Sequence, residues 1–241
     1  MLFRVTDTPP YQKMPRSTRK PLMDWDALRI SLQVSLTSTI LATLVGVPFA
    51  WWLARVSFPG QGVVSALVLA PMVLPPTVLG YYLLQAVGRS STIGGTLDSL
   101  FGFSFVFDWT GAVLAAFVVS TPFLVRTAQA GFEAIDVTYE EAARTLGRSE
   151  LSVFWHVAIP LAKRSILAGI ALALARALGE FGATLMIAGN LPGRTQTMSI
   201  AVYDAVQAGR TSDAQVLALT LSLVSIGLLV AISSTAKRRE P

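Results

Sequence analysis

Arg176 and Glu180 are residues whose types and spacing could do chemistry in this 241-residue chain. Four positions apart, they share one helical face and can pair. Both lie in the otherwise apolar stretch 165–189, where ionisable side chains normally face a bundle interior or an aqueous cavity. Acid–base catalysis would also need a nucleophile, a metal cluster or a second carboxylate, and none is near in sequence. His156 is the single histidine and cysteine is absent, so thiolate metal sites and disulfides are excluded. The residues leave two readings of the pair. One is a structural salt bridge; the other has Arg176 setting a positive field for a passing anion. No catalytic or metal site is assigned.

A second polar constellation lies in the segment 133–160. Thr138 with Glu141 three residues on has the spacing of a capping box, which predicts a helix from about Tyr139. Gly147 has the place of a C-cap, where glycine enters the left-handed region without strain. Ala142 and Ala143 are small enough for another surface to approach closely. Ser149 can cap a second short helix. Leu151, Phe154, Trp155 and Ile159 then follow at helical spacing and predict one apolar packing face. Pro160 suits the first turn of the next helix, where its missing N–H costs little. The expected product is a helix, a glycine elbow and a second helix at a membrane surface. An amphipathic connector lying on the lipid is the plainer alternative.

The elements that must carry these residues are apolar helices. Hydrophobic residues make up 53% of the chain and charged residues only 14%, which argues against a soluble domain. The runs 30–54, 58–88 and 214–236 contain no charge at all, and about 20 apolar residues suffice to cross a bilayer. The run 109–125 becomes long enough if its helix continues past Arg126, whose side chain can snorkel. The expectation is an all-α integral membrane protein of five spans, near 29–54, 62–88, 109–130, 163–189 and 213–236, with the two-helix loop between the third and fourth. Closed barrels are disfavoured because no two-residue alternation is present. Pro71, Pro75 and Pro76 are expected to break the second span. Such backbone is tolerated only inside protein or beside a water-filled cavity, so Pro75 and Pro76 are read either as a gate or as a packing kink. Thr121-Pro122 suggests a milder kink. Ser31, Ser35, Ser38 and Thr39 form a seam that suits helix–helix contact, and Ser35 is the candidate for a pathway. Residues 198–206 suggest a short amphipathic helix in the last external loop.

Most of the net charge of +5 sits in residues 1–20, where Arg4, Lys13, Arg16, Arg19 and Lys20 stand against Asp7; residues 1–26 are read as a flexible basic tail and residues 237–241 as a second one. A nucleic-acid partner has no support, and membrane lipid is the expected surroundings. With five spans, the termini lie on opposite sides. Counting every Lys and Arg, the two sides tie. Without the N-terminal segment, Arg55, the loop and Lys237-Arg238-Arg239 outweigh Arg89, Arg194 and Arg210. This favours a cytoplasmic loop and C-terminus and an external N-terminus.

Glu141-Ala142-Ala143, Gly147 and Pro160 resemble the signature loop of ABC-importer permeases: Glu-Ala-Ala, three residues, Gly, nine residues, Ile-x-Leu-Pro. Val157 and Ile159 stand for the family's Ile and Leu. The resemblance implies that Glu141, Ala142, Ala143 and Gly147 contact a separate ATPase, with Leu151, Phe154, Trp155 and Pro160 packing the loop. No Gly-x-x-x-x-Gly-Lys-[Ser/Thr] phosphate loop is present, so this chain is not that ATPase. It would bind no cofactor itself, and ATP and Mg would sit on the partner. Val73-Leu74-Pro75-Pro76-Thr77, Leu178-Gly179-Glu180-Phe181-Gly182-Ala183 and Gly189-Asn190-Leu191-Pro192-Gly193 look like segments of molybdate permeases. The Leu-Gly-Glu-Phe-Gly-Ala core is shared with sulfate permeases. The resemblance implies a molybdate importer (tungstate being nearly the same shape) of the inner membrane. It implies a homodimer with two ATPase subunits and an extracytoplasmic molybdate-binding protein. The alternatives are a sulfate, thiosulfate or other oxyanion permease and, more remotely, an ATPase-independent channel or an intramembrane enzyme.

Overall fold

The computed structural model describes residues 23–237, and those residues form helices joined by turns, without strands. The basic tails fall mostly outside them. The first helix, α1, spans Trp25–Arg55, and the Asp24 side chain accepts from Ala27 N at 3.0 Å to start it. It therefore begins before residue 27, where the basic tail was expected to end. Its buried positions include Ala27, Ser31, Val34, Ser38, Ala42 and Gly46, one face at three- and four-residue spacing. That face packs on α5, Trp109–Glu133. A β-carbon at Gly46 would stand 2.9 Å from Leu124 Cδ2. Small residues of this kind allow close approach where lipid offers no hydrophobic drive between helices. α5 is the central span, with 61% of its apolar window buried against 6% for α11, Thr211–Lys237. It runs unbroken through Pro122, which is buried.

The second apolar run is two helices, α2 (Gln61–Val73) and α3 (Pro76–Val87), bent by 115°. Four helices are long and apolar enough to cross a membrane, and the bent pair, counted as one broken span, brings the number to the expected five. Pro71, expected to contribute to the break, lies inside α2. A single proline costs one hydrogen bond and leaves the helix standing. The break falls at Leu74 and Pro75, with ψ of 139° and 135°. Each precedes a proline, and a following proline disfavours the helical ψ.

The third correction concerns the fourth span. α8, Ile159–Leu178, stops eleven residues short of the expected boundary at 189. Gly179 caps it, and a seven-residue helix, α9 (Gly182–Ala188), follows. Glu180 Oε1 accepts from Ala183 N at 2.8 Å, so the side chain that faces Arg176 also starts the new helix. α9 packs on α3. A β-carbon at Gly80 would lie 2.8 Å from Ala183 Cα, and one at Gly182 would lie 2.9 Å from Pro76 Cβ. Outside the segment 133–160 two short helices join the long ones: α4 (Thr92–Phe101), started by Ser91, and α10 (Met198–Gln207). α10 matches the expected amphipathic helix, and it is docked: Met198, Ile200, Ala201 and Ala205 are buried.

The contact of Gly80 with α9 backbone predicts that Gly80→Val destabilises the fold by about 1–3 kcal/mol, the usual cost of overpacking. Gly227→Ala, with nothing within 4 Å of its β-carbon, serves as the control. Thermal unfolding in detergent should show a lower midpoint for the first and no loss for the second.

Candidate functional site

The segment after α5 folds from its own polar side chains. Asp136 Oδ1 accepts from Thr138 N at 2.9 Å and from Thr138 Oγ1 at 2.6 Å. These bonds, the side-chain one first, hold the Asp136 carboxyl below its ordinary pKa. The next helix, α6, is Thr138–Thr145. The expected capping box is therefore replaced: Thr138 spends its hydroxyl as a donor to Asp136, and α6 begins one residue earlier. At the other end Gly147 has φ 77°. Gly147 N bonds Arg144 O at 2.9 Å and Arg148 N bonds Ala143 O at 3.1 Å. This is the paired arrangement that closes a helix through a left-handed residue.

Ser149 starts α7, Glu150–Val153, by accepting from Ser152 N at 3.4 Å. α7 then runs through a π turn, Phe154–Ala158, directly into α8. Ile159 N bonds Phe154 O, five residues back, just before Pro160, which brings no N–H to the ladder. The second short helix of the loop is thus the first turn of the fourth span. Its four expected packing residues divide. Phe154 is buried with its ring 5.1 Å from Trp51, whereas Leu151, Trp155 and Pro160 are exposed. Leu151 and Trp155, four residues apart, share a face that turns away from the one Phe154 occupies.

Glu141 and Ala142 are exposed and Ala143 is half-buried. The buried carboxylate is the neighbouring Glu140, which has no exposed surface. Its Oε1 accepts from Arg55 Nε at 2.9 Å and from Trp51 Nε1 at 3.4 Å; its Oε2 accepts from Arg144 Nη2 at 3.3 Å. Arg144 in turn binds Glu150, with Nε 2.6 Å from Oε1 and Nη2 3.0 Å from Oε2. A chain of alternating charges therefore ties α1, α6 and α7 together. Sequence reasoning missed Glu140, although its four-residue spacing to Arg144 was a usable signal. Outward, the loop presents Tyr139, Leu146, Leu151 and Trp155; Leu146 is 84% exposed and Trp155 57%.

The second group of sequence candidates lies elsewhere. Arg176 Nη2 is 2.8 Å from Glu180 Oε2, although that oxygen sits off the hydrogen-bonding direction. Glu180 is buried while Arg176 keeps 27% of its side chain exposed. Pro76 packs on Gly182, two residues from Glu180, so the proline break and the charge pair share one neighbourhood. Ser35 is not brought to them by any bond; its hydroxyl donates to Leu32 O in its own helix at 3.3 Å. Ser31 of the same seam instead accepts from Met198 N, the start of α10, at 2.7 Å. Among the described residues no three His, Cys, Asp or Glu side chains converge as a metal site.

A family model described as binding-protein-dependent transport system inner membrane component matches residues 46–238. The Escherichia coli K12 molybdenum transport system permease protein ModB is 42% identical over 209 residues, 86% of this chain and 91% of that one. The Synechococcus elongatus sulfate transport system permease protein CysW is 36% identical over 85% of this chain and 71% of its own length. Among solved structures, a bacterial ABC transporter importing the acidic polysaccharide alginate gives a TM-score of 0.73 at 14% identity, covering 90% of this chain and 79% of that one. The MetNI methionine ABC transporter in an inward-facing form gives 0.67 at 17% identity, covering 88% and 93%.

The geometry of the elbow predicts that Gly147→Val costs about 1–2 kcal/mol, the penalty for placing an L side chain in the left-handed region. Gly147→Asn should be close to neutral, because Asn tolerates that region. Hydrogen exchange across residues 143–148 checks this: faster in the Val variant, nearly unchanged in the Asn variant.

Proposed function

The chain belongs to the family of inner-membrane components of binding-protein-dependent transport systems, and from that premise we propose that it is the permease subunit of an ATP-driven molybdate importer. It is a multi-pass transport component, not an enzyme. The observation that carries the reading is the α6–Gly147–α7 element. It is an ordered polar loop with exposed apolar side chains, fastened to the end of an apolar bundle. In the proposed assembly this surface meets a separate ATPase subunit, with Glu141, Ala142 and Leu146 outward. ATP and Mg bind to that partner. Two copies of the chain form the pathway between them, two ATPases bind their loops, and an extracytoplasmic binding protein delivers the anion. The loop and C-terminus face the cytoplasm and the N-terminus faces outward, as the basic residues outside the N-terminal segment favour.

Within the proposed cycle, ATP-driven closure brings the two loops together and opens the bundle outward; hydrolysis resets it. The region of Pro75, Pro76, Arg176 and Glu180 serves the pathway by position more than by tight binding. A conduit needs weak, distributed contacts so that the ion leaves. Glu180 neutralises much of Arg176, which suits passage better than capture. Molybdate is preferred to sulfate because the molybdenum permease match is closer and covers nearly all of that relative. The sulfate reading stays second for the reason that a sulfate permease also matches most of this chain.

Two experiments test the proposal. Proteoliposomes holding the chain, its ATPase and its binding protein should take up molybdate only with ATP, and excess sulfate should compete poorly. Uptake without ATPase would favour a channel, and equal sulfate competition would favour the second reading. On the loop, Glu141→Lys with Leu146→Asp should weaken ATPase association by about 2 kcal/mol, the loss expected for a central contact. Co-purification yield reads that loss, and an unchanged yield removes these side chains from the contact.

A further inference from the structure

We propose that Glu140 is a positioning residue that makes α1 a rod between the two faces of the bundle, joining the polar loop at one end to α10 at the other. The inference rests on the permease reading above and deepens it by naming how loop movement reaches the opposite face.

The loop is covalently continuous with α5 before it and with α8 after it. It has no such continuity with α1, whose Trp51 and Arg55 are 89 and 85 residues away from Glu140. Side chains make that connection. Arg55 reaches Glu140 with two nitrogens at 2.9 Å, and its Nη2 also donates to Ile135 O at 3.5 Å. Arg55 and Arg144 hold a carboxylate with no exposed surface. Tilting α6 away from α1 would strip Glu140 of Arg55 and Trp51 and leave a buried carboxylate with only Arg144 of its own helix, and removing one partner of a buried charge is unfavourable. Any displacement of α6 therefore carries the last turn of α1 with it.

From Arg55, α1 runs as one helix back to Ser31, through Pro48, without a break. That length is on the order of 36 Å at 1.5 Å per residue, the scale of the hydrocarbon core. At the far end Ser31 Oγ accepts from Met198 N at 2.7 Å, a buried bond between residues 167 apart. It satisfies one of the free N–H groups at the start of α10. α10 carries the exposed Tyr203 and Val206. On the orientation proposed above, this is the face that a delivering binding protein would meet. The structure thus holds one continuous helix with a specific side-chain clasp at each end. A physical claim of coupling requires such an element, biased from both sides.

The experiment uses the complete transporter in proteoliposomes, with ATPase subunits and molybdate-loaded binding protein. Glu140→Gln, Ser31→Ala and the double variant are compared for ATPase co-purification, basal ATP hydrolysis and stimulation of hydrolysis by the binding protein. Co-purification and basal hydrolysis should stay at the wild-type level. Stimulation should fall at least about fivefold in each single variant, the lower range of known couplings, and no further in the double, because both clasps serve one rod. Glu140→Asp, which keeps the charge, should recover part of the stimulation. Unchanged stimulation in Glu140→Gln overturns the proposal. So do losses that multiply in the double variant, and so does loss of the ATPase, which would reduce Glu140 to a folding role. A variant that fails to insert is replaced by Arg55→Lys, which keeps the charge and removes the fork; full stimulation there also overturns it. Wild-type protein that shows no stimulation sinks the permease reading itself, a separable result.

Discussion

A carboxylate with no exposed surface needs its charge balanced where it stands. Glu140 is balanced by guanidinium groups from α1 and from its own helix, and by an indole N–H. Such a cluster need not add net stability, since desolvation offsets much of the attraction. Removing one partner is a different matter, costing about 3–5 kcal/mol in buried pairs. The arrangement therefore fixes geometry more than it supplies free energy. It ties the end of α1 to the inner side of α6, whose other side carries the exposed Glu141, Ala142 and Leu146.

The second constraint is backbone. Helices in lipid satisfy their own polar groups, and broken backbone survives only where protein or water covers it. The two breaks in the apolar runs lie side by side, Pro75 and Pro76 exposed and Glu180 buried. The Leu74–Pro75 break lies beside the Gly179–Phe181 break because Gly80 and Gly182 let α3 and α9 touch. Glu180 serves both needs at this place, ending the charge of Arg176 and starting α9. An anion pathway built here would use orientation and partial charge, with no strong cation left uncompensated.

Much of this was legible in the residues. The apolar runs showed the long helices, and the glycine at 147 showed the left-handed elbow, since glycine enters that region at the least cost. What stayed hidden had physical reasons. Adjacent helical residues point about 100° apart, so Glu140 and Glu141 face different worlds. Which one turns inward depends on where α1 ends, 85 residues earlier. The end of α8 was invisible to hydropathy because α9, Gly182–Ala188, is as apolar as the helix before it. Helical spacing groups Leu151, Phe154 and Trp155 on one apolar side but does not say which part of that side meets α1, where only Phe154 packs. α4 was missed, although Ser91 and Gly102 bracket it with a cap at each end.

The central claim is that α6 and the end of α1 move as one body. Spin labels at Val56 and Thr145 on a single labelled copy of the assembled transporter test it directly, by distance measurement in the nucleotide-free and ATP-trapped states. The account predicts that this distance holds within about 2 Å, the size of a small helix shift, while the distance between Thr145 labels on the two copies shortens. A Val56–Thr145 distance that changes as much as the separation between copies would contradict it.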